Sequence, residues 1–376
     1  MDSLIDIATE LSAQFAESAG QHDLSGIFPD ENFAKLYDKG LMSLTVARSS
    51  GGHGATLEQS RRVVSELAKG DGSTALAFAM HAANHAVIAN GHWWPSHLAR
   101  LVTETNRAQV ALINRLQVEP EGGAPSYGIQ PATHAEYVAD GWQITGRKCY
   151  ATGAPALTWL LVSASTKEDR PRAGFFLIQG GAKGISVKET WDVVGMRSSS
   201  SHDVIFDHVI IPHSYCLQMT PTAEGVRRDD FYVSWFMVLV AAVYHGLAQA
   251  ARDHALAFVK SYAPVGLGQP VSNLPRIRDE LGALELLLQV NERLLQSVAF
   301  DTDHGRSVGA DATAMRHVVI ENAAKVLGGI LSVTGNYSLR RGNPLERIHR
   351  DVLCGINHAP SGPRVREAAA ARILGA

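Results

Sequence analysis

The densest group of chemically versatile side chains lies in the segment NPLERIHRDVLCGINHAP, residues 343–360. It combines two acids, two arginines and two histidines: Glu346, Arg347, His349, Arg350, Asp351 and His358. An imidazole of ordinary pKa both accepts and releases protons near neutrality, so a histidine in this segment is a candidate for proton transfer. A charged, solvated helix end is the alternative interpretation.

A second pair of histidines, His81 and His85, lies on the apolar run STALAFAMHAANHAV, for which Ser73 is the expected N-cap. Their H-x-x-x-H spacing suits a zinc-binding helix, but Ala82 occupies the place of the HExxH glutamate and no third ligand is apparent. We therefore predict no metal. The two histidines are either hydrogen-bonded core residues or polar points on the wall of a substrate cavity.

Composition and charge exclude several classes of protein. The chain has 376 residues, of which 45% are hydrophobic, and a formal net charge of -3 with no run of five like charges. This balance argues against nucleic-acid binding and against a role at a membrane surface. Three isolated cysteines without CxxC spacing indicate neither a disulfide framework nor a zinc site. We expect a cytoplasmic protein without a signal peptide and without an uncharged apolar run of about 18 residues.

The hydrophobic period divides the chain into three regions. Residues 1–108 repeat apolar side chains at helical spacing, whereas residues 109–215 show short apolar runs separated by turn residues, which is typical of strands. Asp140-Gly141 between two alternating runs predicts a hairpin. Residues 228–376 return to long helical stretches with short connections. The expected fold class is α+β, with an N-terminal helical domain, a central β-domain and a C-terminal antiparallel four-helix bundle.

Three motifs, in this order, resemble the acyl-CoA dehydrogenase superfamily over nearly the whole chain. DGWQITGRKCYATGAP, residues 140–155, is similar to a flavin-contacting strand pair of that family. WDVVGMRSSSSHDVIFDHVIIP, residues 191–212, is similar to a later strand of the same region. LGGILSVTGNYSLRRGNPLERIHRD, residues 327–351, is similar to the end of the family's helical bundle. The resemblance implies a flavin cofactor.

The resemblance also assigns residues to the flavin: Tyr150, Thr152, Arg197, Ser199, Ser201, Gly328 and Gly329. Tyr150 and Thr152 match the Trp and Thr of the family's WITNG motif, which implies that Tyr150 covers the ring and Thr152 bonds near its reactive edge. The serines that follow Arg197 suit a phosphate or ring-edge contact. The alternative is an ordinary strand pair followed by a polar turn.

The C-terminal segment departs from the dehydrogenases of this family. Where their usual signature places a catalytic carboxylate, this chain has His358-Ala359-Pro360-Ser361, and no acid is present to remove a proton from the substrate. The ending instead resembles the flavin-dependent, two-component monooxygenases of the same fold. This implies His358 as the catalytic residue, which would polarise the substrate or stabilise the oxygenated flavin. We expect Arg350 and Asp351 to be structural.

A second departure concerns the residues that bind the pyrophosphate and adenosine of the cofactor. The segment YAPVGLG, residues 262–268, lacks the arginine that the family uses to hold the cofactor pyrophosphate, and Lys325 alters its adenosine contact beside Gly328 and Gly329. No GxGxxG run provides a nicotinamide site. Both absences favour a diffusible reduced FMN or FADH2 delivered by a separate NAD(P)H:flavin reductase.

These observations favour a monooxygenase that uses reduced flavin and O2 to oxygenate a small organic substrate. The alternatives are an FAD-dependent acyl-CoA dehydrogenase with its base at another position, and a non-catalytic binding protein of the same fold. The expected substrate pocket is apolar with few polar points, and its residues are Met80, His81, His85, Trp235 and Phe236. The family resemblance and the very apolar helix at residues 231–250 imply a homotetramer, or at least a dimer.

Overall fold

The structure is a computed structural model that describes residues 2–91, 93–120, 130–224, 226 and 229–375. Within these residues the chain forms ten α-helices and one eight-stranded sheet. Helices come first, the sheet follows, and helices return to the end of the chain. This order confirms the α+β architecture expected from the sequence.

Five helices form the N-terminal region: α1 (Asp2–Ser25), α2 (Asp30–Asp38), α3 (Leu57–Gly70), α4 (Gly72–Asn90) and α5 (Ser96–Ala108). Helix α3 begins with a capping box, in which the Thr56 hydroxyl accepts from the Gln59 amide and the Gln59 side chain accepts from the Thr56 amide. Helix α3 packs on α1, α4 and the bundle helix that begins at Asp230. The N-terminal helices therefore share one core with the bundle.

Helix α4 is buried along its whole length from Gly72 to Ile88, which explains why its sequence is apolar on every side. Its N-cap is Asp71, whose carboxylate accepts from the Ser73 amide at 3.0 Å and from the Thr74 hydroxyl at 2.7 Å. The prediction that Ser73 caps this helix is wrong. Aspartate is itself a preferred N-cap residue, and Ser73 lies inside the first turn of the helix.

The central sheet contains β1 (Leu112–Leu116), β2 (His134–Val138), β3 (Gly141–Ala151), β4 (Leu157–Thr166), β5 (Arg172–Gln179), β6 (Ile185–Lys188), β7 (His202–Ile211) and β8 (Cys216–Pro221). The strand order is β6-β7-β3-β2-β4-β5-β8, and β1 pairs with β4 in parallel. Strands β2 and β3 form the antiparallel hairpin predicted at Asp140-Gly141. The sheet continues through β8 to Pro221, beyond the end at residue 215 that the sequence suggested.

The C-terminal region contains α6 (Asp230–Ser261), α7 (Pro275–Asp303), α8 (Gly309–Thr334), α9 (Pro344–Ile356) and α10 (Gly362–Leu374). Helices α6, α7 and α8 pack on one another, and α9 packs on α6 and α8. The segment with the two acids, two arginines and His349 thus forms α9. His358 follows this helix directly.

Helix α6 is long and apolar enough, by length and composition alone, to cross a membrane, and the run Gly309–Leu339 meets the same criterion. In the structure, 83% of the most apolar window of α6 is buried inside the protein, against α3, α4 and α8. The expectation that the sequence has no uncharged apolar run of this length is wrong. The apolarity of α6 reflects its place at the centre of the core, where several helices cover it.

Candidate active site

A chain of buried hydroxyl groups joins the end of β3 to the start of β7. The Ser201 hydroxyl donates to the Thr152 hydroxyl at 3.0 Å, and the hydroxyls of Ser199 and Ser201 are 2.8 Å apart. The Gly153 amide donates to the Ser199 carbonyl at 2.9 Å and fixes the two segments to each other. All three hydroxyl residues are buried. The structure therefore brings together Thr152, Ser199 and Ser201, three of the residues that the resemblance assigned to the flavin.

Asn114 on β1 completes this cluster and was not identified from the sequence. Its side-chain amide donates to the Thr152 carbonyl at 3.0 Å, and its side-chain oxygen accepts from the Arg115 amide at 2.7 Å. Asn114 is buried. The available signal was the polar pair Asn114-Arg115 inside the apolar run ALINRLQV, which an ordinary core strand does not contain.

Tyr150 lies beside the hydroxyl cluster with its side chain 63% exposed. Its backbone adopts a left-handed φ of 56°, an unusual conformation for a tyrosine. The Thr152 amide donates to the Tyr150 carbonyl at 3.0 Å, and the edge of the Trp191 ring meets the Tyr150 ring at a centroid distance of 6.2 Å. An exposed aromatic face thus stands next to buried hydrogen-bonding groups. Trp191 is a second residue that the sequence analysis did not single out.

Arg197 does not reach the hydroxyl cluster through its guanidinium group. The guanidinium donates to the Asp23 carbonyl at 2.7 Å and to the Val193 carbonyl at 2.9 Å, and it lies 3.4 Å from the Asp192 carboxylate. Arg197 therefore ties the segment before Ser199 to the end of α1. The structure gives it a positioning role within the chain rather than an open cofactor contact.

Gly328 and Gly329 lie in the middle of α8, away from the hydroxyl cluster on the sheet. A side chain at Gly328 would meet open space, whereas one at Gly329 would collide with Leu284 and Glu280 of α7. Gly329 therefore permits the close packing of α7 on α8. Gly328 leaves an exposed stretch of helix backbone.

His358 packs against the bundle, with its ring edge against Phe236 at a centroid distance of 5.9 Å. Desolvation, and to a lesser extent the positive charge of Arg316, lower the pKa of His358 to about 3. The Arg316 guanidinium also donates to the His358 carbonyl at 2.8 Å. The sequence-based expectation that His358 titrates near neutrality is therefore wrong. The imidazole is neutral at pH 7 and can exchange hydrogen bonds but is a weak base.

Arg350 and Asp351 are structural in this site. Arg350 donates to both oxygens of Asp23 at 3.0 and 2.6 Å, and to Glu346 at 2.7 and 2.9 Å. Asp351 accepts from the Met196 amide at 2.5 Å, and burial raises its pKa to about 6. Together they join α9 to α1 and to the turn that precedes the hydroxyl cluster.

The five residues expected to line the substrate pocket differ in their surroundings. Phe236 lies against His358, and Trp235 one residue earlier is buried. His81 is held by the Met42 carbonyl at 2.9 Å, and burial lowers its pKa to about 4. Met80 is buried in the core. His81 is thus a core histidine, as the first of the two interpretations proposed.

His85 lines a separate cavity of about 440 Å³ among the N-terminal helices. Neither ring nitrogen of His85 has a hydrogen-bond partner among the described residues, and burial holds its pKa well below the usual value. Trp94, Arg100 and Arg107 line the same cavity. This part of the expected substrate pocket is therefore distinct from the surroundings of His358.

The residues around Thr152 fit a flavin ring. A large planar heteroaromatic ring needs an apolar or aromatic cover and fixed hydrogen-bond partners along one edge. The exposed Tyr150 ring offers the cover, and the buried hydroxyls of Thr152 and Ser201 offer the edge contacts. Met196 and Ser200 also adopt left-handed backbone conformations, with φ of 51° and 44°. Backbone strain of this kind is concentrated at functional sites.

Comparisons with known proteins agree with this architecture. Models of the acyl-CoA dehydrogenase N-terminal, middle and C-terminal domains match residues 6–92, 117–209 and 234–356. The putative acyl-CoA dehydrogenase YdbM of Bacillus subtilis is 32% identical, over 93% of this chain and 91% of that protein. L-evernosamine nitrososynthase from a Micromonospora strain is 27% identical, over 94% of this chain and 85% of that protein.

A solved structure extends the comparison. FMN-bound TdsC from Paenibacillus sp. A11-2 has a TM-score of 0.87 and 21% identity, and the match covers 100% of this chain and 98% of that one. At this identity the likeness shows the fold. The three family models and the relative at 32% identity, together with the matching motifs and hydroxyl cluster, place the chain in the acyl-CoA dehydrogenase family.

Proposed function

We propose that this protein is a flavin-dependent monooxygenase that receives reduced FMN or FADH2 from a separate reductase. Reduced flavin supplies two electrons to O2, so that one oxygen atom enters a small organic substrate and the other leaves as water. Family membership supports the coarser part of this proposal, a flavin-dependent oxidoreductase. The choice of monooxygenase rests on His358, which lies in the segment where the dehydrogenase signature places its carboxylate.

The observation that carries the proposal is the placement of His358, whose ring meets Phe236 and whose pKa is held low by burial and by the Arg316 cation. A dehydrogenase must remove a proton from carbon, which requires a strong base next to the substrate. His358 has a pKa of about 3, and the charge that acts on it is the cation of Arg316. Such an imidazole is too weak a base for that step. It is well suited to donate a hydrogen bond to oxygen without becoming charged.

The residues of the site then have separate roles. Thr152 would donate its hydroxyl hydrogen to one edge of a bound flavin, Ser201 donates to the Thr152 hydroxyl and orients it, and Asn114 holds the Thr152 backbone in place. Tyr150 would cover the ring. The imidazole N–H of His358 donates to an oxygen atom at the substrate, while Phe236 excludes water from one side of it.

The relatives support both this proposal and its main alternative. L-evernosamine nitrososynthase is similar over most of the chain and carries a name for an oxygenating reaction rather than a dehydrogenation. YdbM, at 32% identity, is named a putative acyl-CoA dehydrogenase and favours the second candidate function, FAD-dependent oxidation of an acyl-CoA. In that case a carboxylate on another helix would have to serve as the base.

The two functions are distinguished by mixing the purified protein with flavin under two conditions. A dehydrogenase bleaches oxidised flavin when an acyl-CoA is added without oxygen. For the proposed monooxygenase we expect no bleaching with a panel of short-, medium- and branched-chain acyl-CoAs. With reduced FMN, isotopically labelled O2 and indole as a test substrate, we expect a product that carries one labelled oxygen atom. Anaerobic bleaching by any acyl-CoA would contradict the proposal.

Flavin retention supplies an independent test. Because the pyrophosphate arginine is absent from residues 262–268, we expect reduced FMN or FADH2 to bind more tightly than the oxidised forms. Oxidised flavin should then be lost on gel filtration. Stoichiometric oxidised FAD after purification would favour the dehydrogenase.

A further inference from the structure

Arg115 on β1 holds its guanidinium group among three aromatic rings. The central guanidinium carbon lies 3.5 Å from the centroid of the Tyr232 ring, 4.9 Å from that of Phe175 and 5.3 Å from that of Trp93. These rings come from α6, from β5 and from the segment after α4. A cation over aromatic faces gains a modest attraction, which orients the group and leaves its N–H bonds available.

One edge of this guanidinium has no hydrogen-bond partner. Nε and Nη2 of Arg115 are both closed off from solvent, and neither finds an acceptor among the described residues. Burial lowers the pKa of Arg115, but an arginine keeps its charge in proteins. A buried cation with unused donors is unfavourable unless an anion is bound there.

The carboxylate of Asp229 does not fill this role. Asp229 acts on Arg115 through its charge, but its two oxygens accept from the Tyr232 amide at 3.1 Å and from the Trp93 indole at 2.9 Å. Asp229 thereby fixes two of the rings that surround the guanidinium. Asp229 therefore orients the aromatic rings around the guanidinium group. Among the described residues, it does not accept a hydrogen bond from Nε or Nη2 of Arg115.

A row of rings connects Arg115 to His358. Tyr232 and Phe236 lie one turn apart on α6 and stack at a centroid distance of 5.7 Å. Phe236 in turn meets His358 at 5.9 Å. The cation and the neutral imidazole therefore stand at the two ends of one aromatic row along a single face of α6. A flat molecule with one negatively charged end could pack against these rings and place its charge at Arg115.

We propose that Arg115 binds the carboxylate of an aromatic carboxylic acid whose ring lies along Tyr232 and Phe236, with its reacting end at His358. The position of the reacting end rests on the proposed function, whereas the carboxylate contact does not. The Nε and Nη2 donors point in parallel and match the two oxygens of a carboxylate.

The flavin is a less suitable occupant of this position. Successive side chains of a strand point to opposite faces, so the side chain of Arg115 lies opposite that of Asn114, which binds the Thr152 carbonyl. The candidate flavin contacts lie on the Asn114 side. The Arg115 edge therefore faces a different ligand.

The test measures binding of matched pairs to the purified protein without flavin. Each pair consists of an aromatic acid and its amide: benzoate with benzamide, indole-3-carboxylate with indole-3-carboxamide, and 2-naphthoate with 2-naphthamide. The dissociation constant of each probe is measured by calorimetry. We expect at least one carboxylate to bind about 10-fold or more tightly than its amide, and Arg115→Met to abolish the difference. Arg276→Met, which changes an exposed arginine at the start of α7, should leave the difference intact.

Several outcomes would overturn the assignment. No preference for the acid in any pair would do so, as would a preference that survives in Arg115→Met. If Arg115→Met weakens reduced FMN binding but not carboxylate binding, the residue belongs to the flavin site and the proposal is wrong. Should Arg115→Met fail to fold, as judged by circular dichroism, Arg115→Gln and Arg115→Lys allow the same comparison. Since no turnover is measured, failure of the monooxygenase assignment leaves this test unaffected.

Discussion

The backbone amide of Met196 donates a hydrogen bond of 2.5 Å to the carboxylate of Asp351, although 155 residues separate the two. The contact joins α9 of the bundle to the turn that carries Ser199 and Ser201 on the sheet. Both Met196 and Ser200 in this turn have left-handed φ angles, a conformation that needs support from the surrounding structure. The geometry of the hydroxyl cluster thus depends on a side chain of the bundle.

The first prediction is that Asp351→Ala destabilises the protein and weakens flavin binding together. Removal of the carboxylate leaves the buried Met196 amide without an acceptor, which costs about 1–3 kcal/mol in the free energy of unfolding. Reduced FMN affinity, measured by fluorescence titration, should fall as the turn loosens. Asp351→Asn is the matched control, because its side-chain oxygen still accepts from the amide. Equal losses in both variants would contradict this explanation.

The second prediction concerns pH. Burial raises the pKa of Asp351 from 3.8 to about 6, so the folded protein binds more protons than the unfolded chain between these values. The stabilising contribution of Asp351 is therefore fully present below about pH 4 and is lost as the pH rises through 6. The stability of Asp351→Asn relative to wild type should rise by about 1–3 kcal/mol between pH 4 and pH 7 in urea unfolding. A constant difference would show that Asp351 titrates normally.

The third prediction tests the hydroxyl cluster. Thr152→Val keeps the shape of the side chain but removes the hydroxyl that accepts from Ser201. We expect reduced FMN to bind roughly 10-fold more weakly, the effect of losing about one hydrogen bond to a ligand. Thr152→Ser retains the hydroxyl and should bind nearly as wild type. If Thr152→Val binds flavin normally, the cluster is structural and the flavin lies elsewhere.

The fourth prediction follows from the low pKa of His358. Since its pKa is about 3, this residue does not change protonation between pH 5 and 8, and its contribution to turnover should be constant over that range. His358→Ala should lower product formation by about 10²–10³-fold, the usual cost of removing one hydrogen-bond donor to a reacting oxygen, while flavin affinity stays nearly intact. His358→Gln, which still donates a hydrogen bond, should recover part of the loss. A pH-rate break near 6.5 that disappears in His358→Gln would contradict the neutral role.

Sequence patterns predicted the architecture because periodicity reports which faces are buried. They placed the hairpin at Asp140-Gly141 and the three regions of helix and strand, and the family resemblance pointed to Thr152 and Ser201. The sequence patterns did not predict β8, because its segment CLQMTP lacks a clear alternation of apolar and polar residues. The cap at Asp71 is a local signal, because its carboxylate accepts from residues only two and three positions later, and it could have been predicted from the sequence.

The parts of the site that the sequence did not reveal depend on contacts between distant segments. Asn114 is important because β1 pairs with β4 and thereby brings its amide to the Thr152 carbonyl. Arg115 is distinguished by rings from three other elements. The pKa of His358 is set by burial and by Arg316, neither of which a local motif contains.

The fifth prediction is the homotetramer. Leu286 and Val290 lie one turn apart on α7 and are 64% and 49% exposed in the single chain. Burial of side chains of this size stabilises an interface by about 1.5–3 kcal/mol each, so an assembly through the bundle would remove an unfavourable apolar stripe from water. We expect light scattering to give a mass of four chains, each of 40.4 kDa.

The double variant Leu286→Glu, Val290→Glu should shift the protein to smaller species. Val265→Glu, at a fully exposed residue outside the helices, is the control and should leave the assembly intact. A 40.4 kDa monomer of the wild-type protein at micromolar concentration would exclude the tetramer.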